Sequence, residues 1–133
     1  MTRTGLARAD ITARGAVLLF GYGDRTHDST GLHDPLSVYA WWLEPEGEPP
    51  CAWVVLDLCV LGIEAAEALA REVCGRVPAA GLSPRRLLLS TTHTHSGPDT
   101  LAIHADTRPW AREYRQLLCR RIAEALEEAR SRA

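Results

Sequence analysis

Apolar and polar positions change rhythm several times along the chain. Residues 9–12 (ADIT) predict a short strand, and residues 16–20 (AVLLF) form a second apolar run, broken by Gly21-Tyr22-Gly23. A long polar loop, GYGDRTHDSTGLHDP, then runs to Pro35. Residues 38–43 (VYAWWL) are β-branched and aromatic and predict a strand. The acidic, proline-bearing EPEGEPP segment predicts a turn. Residues 52–58 (AWVVLDL) are almost continuously apolar, the pattern of a strand covered on both faces.

From Ile63 the period becomes helical. Ile63, Ala66, Leu69, Ala70, Val73 and Val77 fall on one face, with Glu64, Glu67, Arg71 and Glu72 on the other. Gly75 and Pro78 are the expected terminators. After a GLSP turn, residues 86–92 predict another strand. Pro109 suits the first turn of a long terminal helix. Its apolar face carries Trp110, Tyr114, Leu117, Leu118, Ile122, Ala125, Leu126 and Ala129. The alternation of strand and helix predicts one α/β domain over residues 1–133, a layered mixed sheet with flanking helices and parallel pairing in its second half. In such units ligands gather beyond the carboxyl ends of strands, which is where Asp57, His93 and His95 fall.

Composition narrows the function classes. The length of 133 residues suits one modest core. A net charge of -2 gives no electrostatic case for nucleic acid. All 15 basic residues are arginine. No apolar run approaches the roughly 20 residues of a membrane-spanning helix, and the N-terminus lacks the apolar stretch of a secretory signal, so the expected location is the cytoplasm. Cys51, Cys59, Cys74 and Cys119 show no CxxC spacing and are expected to be small buried apolar residues.

The candidate chemistry concentrates in STTHTHSGPDT. In an extended segment, positions i and i+2 share a face, so His93 and His95 could reach one point. They could supply two nitrogens to zinc, or one ligand and one acid/base group, or simply be loop histidines bonded to backbone or water. Asp57 could orient a ligating histidine or accept loop N–H groups. His27 and His33 lie in the polar loop, and His104 follows the pair at a distance that could return it to the site. Asp99 is a nearby carboxylate, while Asp106 or Thr107 suits the start of the terminal helix. Ser96 does not sit in G-x-S-x-G, which argues against a serine hydrolase.

This motif resembles the signature of the neutral/alkaline, non-lysosomal ceramidases, in which a strand runs into Thr-His-Thr-His-Ser-Gly-Pro. LARADITARGAVLLFGYGDR resembles the opening of that family, TGLHDPLSVYAWWLE its Gly-Ile/Leu-His segment, and AWVVLDLCVL the following strand, so the likeness covers nearly the whole chain. The motif reads Gly-Pro-Asp where many members have Gly-Pro-Gly. The resemblance implies a zinc-dependent amidase acting on a small N-acyl amide or lipid-like substrate. It makes His93 a zinc ligand and gives His95 the hydrogen bond to water or substrate and the proton transfer. The family's remaining ligands, a histidine, a glutamate and a tyrosine, lie far downstream and find no match in these 133 residues. The expectation is therefore a partial, ceramidase-like N-terminal domain, with a partner chain or a C-terminal half completing the site. A self-contained site would instead draw on His104 or His33. A non-catalytic binding module with the same fold, or another His-x-His metallohydrolase, are the alternative functions.

Overall fold

Strand alternation places the core on one side of a four-stranded sheet. The computed structural model describes residues 1–133, the side chain of Ala79 left aside. Strands β1 (Arg3–Asp10), β2 (Ser37–Glu44), β3 (Cys51–Leu56) and β4 (Leu87–Thr91) lie side by side in that order. The first two pairings are antiparallel. The β3–β4 pairing is parallel, as a helical crossover between them requires. That crossover is α1 (Ile63–Arg76), and α2 (Pro109–Ser131) closes the chain.

Both helices cover the same sheet face. α2 lies on β1 and β2, and α1 packs against α2 and touches β4. The rows beneath them run Gly5–Trp42–Ala52–Leu87 and Ala7–Ala40–Val54–Leu89 across the four strands. Small residues in β1 let α2 come close. A Cβ at Gly5 would collide with the Ala129 carbonyl oxygen, so no other residue fits there without moving the helix. Trp42, Leu69, Leu118, Ile122 and Leu126 are among the largest fully buried side chains.

Several boundaries differ from the sequence expectation. The first strand begins at Arg3, six residues before residue 9, and ends at Asp10. Its inward positions are Gly5 and Ala7 and its outward ones include Leu6 at 60 % exposure, so hydrophobic size gives no signal of its alternation. In the 16–20 apolar run, Leu19 forms an isolated bridge to Pro98. Gly75 lies inside α1 rather than ending it. The buried face of α1 turns toward Ala65, Leu69, Ala70, Val73 and Cys74, leaving Ile63 at 81 % exposure.

The strand read as covered on both faces is packed on one. β3 turns Trp53 outward. A single register row, Leu6–Trp41–Trp53–Leu88, crosses the open face. The indole N–H of Trp41 donates to Thr4 Oγ1, and that of Trp53 to Ser90 Oγ at 2.8 Å. The exposed tryptophans thus keep their polar edges satisfied within the sheet.

Candidate metal centre

The parallel β3–β4 pair ends on two segments that stay zipped beyond the strands. Thr92 N–H donates to Leu56 O (2.9 Å), and His93 N–H to Leu58 O (3.0 Å). Thr91 Oγ1 donates to the Cys59 carbonyl at 3.2 Å. This fixes Leu58-Cys59 beside the start of the histidine loop. β4 stops at Thr91, so the histidines are not on an extended strand. His93 adopts φ 62°, the left-handed region that a residue with a Cβ seldom occupies. The i, i+2 argument for a shared face therefore does not apply. The turn at His93 makes the juxtaposition instead, with ring centroids 5.0 Å apart and an interplanar angle of 71°.

His93 is exposed, yet its Nδ1 is held near the backbone: 2.9 Å from the Cys59 carbonyl oxygen and 3.7 Å from Cys59 Sγ. Cys59 itself is buried, 2 % exposed. One ligand atom each from Cys59, His93 and His95 lie within 4.8 Å of one another. These are nitrogen and sulfur donors, the set a borderline-soft ion such as zinc favours. The residues present thus fit a zinc ion, with Cys59 and the two histidines able to hold it.

His95 is seated by the broken apolar run upstream. A Cβ at Gly21 would collide with the His95 ring and come within 2.7 Å of its Cβ, and Gly21 has φ 117°. The ring of Tyr22 meets His95 edge-on at 4.9 Å. Arg25 stacks over Tyr22 (5.1 Å to the centroid) and donates to the His95 carbonyl at 3.0 Å. The same segment is clipped to the turn that follows: Phe20 N–H donates to Gly97 O and Asp99 N–H to Leu18 O. A groove of about 860 Å³ opens beside the loop. Val17, Leu19 and Leu36 line its apolar side, and Thr94, Ser96 and His33 its polar rim.

The other candidates lie elsewhere or do structural work. Asp57 accepts from the backbone N–H of Ser37 (2.9 Å), so it holds β2 rather than a histidine ring. His27 and His33 are exposed and bond their neighbours, with His27 Nδ1 against Asp28 O and His33 Nδ1 against Asp34 Oδ2. His104 sits against the helices, its Nε2 3.3 Å from Glu72 Oε1. Asp99 accepts from Leu101 N–H in the turn after the motif. Asp106 accepts from Arg108 N–H at 2.9 Å in the turn before α2, but neither it nor Thr107 caps that helix, whose N-cap is Arg108 with no side-chain cap bond. Sequence reasoning missed Cys59, Gly21, Tyr22 and Arg25. Cys59 alone carried a signal, since it follows the carboxyl end of β3 by three residues.

No protein-family model matches the chain. Among solved structures, it is similar to the crystal structure of neutral ceramidase from Pseudomonas aeruginosa, with a TM-score of 0.79 and 26 % identity over 98 % of this chain and 22 % of that one. The chain is similar in fold to a segment of neutral ceramidase. A ceramidase complexed with C2 shares the fold, with a TM-score of 0.77 and 24 % identity over 98 % of this chain and 21 % of its own. The ceramidase-like chain thus spans about a fifth of the length of the ceramidases it matches. The mixed sheet with helices on one face is the layered α/β fold expected from the sequence.

Proposed function

We propose that this chain supplies part of the catalytic centre of a zinc-dependent hydrolase of linear amide bonds, with His93 as a metal ligand and His95 as the proton-handling group. The observation that carries this reading is the convergence of the His93 and His95 donors at the strand end of a ceramidase-like sheet. When bound, zinc supplies Lewis acidity toward a carbonyl oxygen. His95 is half-buried, and the Gly21–Tyr22–Arg25 segment fixes its ring and backbone. A fixed imidazole beside the metal can take a proton from an attacking water and return it to the leaving amine. The apolar side of the adjoining groove suits an acyl chain, and Thr94 and Ser96 of the histidine loop form part of its rim. The substrate class is an N-acyl amide with a lipid-like chain. Catalytic zinc usually takes three protein ligands; with His95 kept for the proton, a partner chain or further ceramidase-like sequence supplies the remaining donors in the active enzyme.

Zinc content and hydrolysis of N-acyl amides, measured on the longest native form of the protein, test this. Wild-type protein should carry stoichiometric zinc, and His93→Ala should lose it together with activity. His95→Ala should keep the metal and lose turnover. Zinc that persists undiminished in His93→Ala would overturn the assignment. Folded, metal-free wild-type protein would favour the binding-module alternative.

A further inference from the structure

We propose that Cys59 is a metal ligand, its thiolate binding the same ion as His93 through His93 Nδ1. The inference rests on the reading of His93 as a ligand and adds a donor that the ceramidase resemblance does not supply. Bond lengths of about 2.3 Å to sulfur and about 2.05 Å to nitrogen place two tetrahedral ligands about 3.5 Å apart. Cys59 Sγ and His93 Nδ1 are 3.7 Å apart. The two atoms already stand at a separation that one zinc ion would bridge with small side-chain rotations.

The backbone around the pair is fixed independently of any ion. Leu58 O accepts from His93 N–H, and Cys59 O accepts from Thr91 Oγ1. His93 Nδ1 also lies 2.9 Å from Cys59 O. If Nδ1 turns its lone pair to a metal, the ring carries its proton on Nε2. The Cys59 carbonyl still keeps the Thr91 hydroxyl, so no buried acceptor is orphaned. The left-handed turn at His93 gains a purpose here. It holds the imidazole over the buried thiol, and strain of this kind is commonly retained at functional sites. On binding, the thiol releases one proton to solvent and its sulfur donates an electron pair to the ion. No redox change is involved. The sulfur assignment does not depend on whether His95 binds the ion or handles the proton.

Cobalt(II) titration of the reduced protein in its longest native form, followed by absorption, reads the sulfur directly. Wild type should show a near-ultraviolet sulfur-to-cobalt charge-transfer band that zinc abolishes by displacement. Cys59→Ser and Cys59→Ala should both lose the band while keeping the wild-type circular dichroism. Cys74→Ser and Cys119→Ser should keep it. Cobalt binding without a sulfur band, no cobalt spectrum at millimolar metal, or a band that survives loss of Cys59 would each overturn the proposal. Zinc lost in His93→Ala but unchanged in Cys59→Ser would sink the cysteine and leave the His93 reading standing. Zinc unchanged in both would sink the two together.

Discussion

Cys59 with His93 and His95, and Cys119 with His104 and Glu72, use nearly the same side chains in opposite settings. Cys119 is fully buried between the helices, and its thiol donates to Glu72 Oε2 at 3.0 Å. Burial first, and then the bond and charge of Glu72, push that thiol up to about 12. Burial also holds His104 below the ordinary imidazole value, although Glu72 pulls the other way. Burial raises the Glu72 carboxyl, but the Cys119 bond, His104 and Arg115 outweigh it, so its net shift is downward. The Cys119 thiol is bonded to Glu72, and His104 Nε2 lies 3.3 Å from the same carboxylate. Cys59 is also buried, but it faces an exposed imidazole and a half-buried one. What separates a structural cluster from a candidate metal centre is the open side that the turn at His93 creates.

The largest effects should come from glycines that back each region. Gly21→Ala places a methyl group against His95 at a left-handed φ. Strain of about 1–3 kcal/mol and overpacking of about 1–3 kcal/mol add to a loss of roughly 2–6 kcal/mol in urea unfolding. Metal binding should fall with it, because His95 and its loop must shift. Gly5→Ala collides with the Ala129 carbonyl where β1 meets α2. It should destabilise by a similar amount, about 1–3 kcal/mol or more, while the folded fraction binds metal as wild type does. Equal metal affinity in both variants would mean that the Gly21 segment does not seat His95.

Cys119→Ala removes a buried thiol and its bond to Glu72, a loss of about 1–2 kcal/mol by denaturation midpoint, with cobalt spectra unchanged. In the native protein Cys119 should resist iodoacetamide at mildly alkaline pH, since the thiolate is the nucleophile and almost none forms. Mass spectrometry of the alkylated, digested chain checks this. Rapid labelling of Cys119 would show that the helices open far more readily than their packing implies.

His104 gives the pH arm of the comparison. Its folded value lies below that of a free imidazole, so the unfolded chain takes up the proton first. Stability should therefore fall as pH drops through about 6.5 and level off once His104 protonates in the folded state too. Glu72, Arg115 and Arg71 face the ring, and only Glu72 opposes the shift. His104→Gln should flatten the unfolding midpoint between about pH 8 and pH 5.5. A slope unchanged in that variant would assign the pH dependence to another group.

The two regions also differ in how far the sequence foretold them. The helical period from Ile63 and the apolar face of α2 led directly to the packed layer, because repeated burial leaves a repeated pattern. β1 was misplaced because Gly5 and Ala7 face inward while Leu6 faces out, so size and burial run in opposite senses. The His93–His95 pair was legible as a motif, but its geometry was not. A left-handed φ at a histidine is invisible to a period-2 argument. Cys59 was read with the other cysteines as a small apolar residue, and it is indeed buried. Its place beside His93 depends on β3 and β4 pairing in parallel, a contact between residues 34 positions apart. The contact between Gly21 and His95 spans a still longer loop, and no local pattern encodes it.

The smallest effect should come from the polar loop. His33 sits on the groove rim with its side chain almost wholly exposed and bonded to the adjacent Asp34. A surface pair of this kind contributes about 0–1 kcal/mol at most. His33→Ala should therefore shift the unfolding midpoint by no more than about 0.5 kcal/mol and leave the zinc and cobalt stoichiometry unchanged. His27→Ala should match it, since that ring contacts only the neighbouring Asp28 carbonyl through its Nδ1. The pair separates two kinds of self-contained site. If His33→Ala alone lowers metal affinity, the loop closes over the histidines and supplies a ligand from the groove. If neither does, the donors within this chain are confined to the turn at His93 and the strand end beneath it.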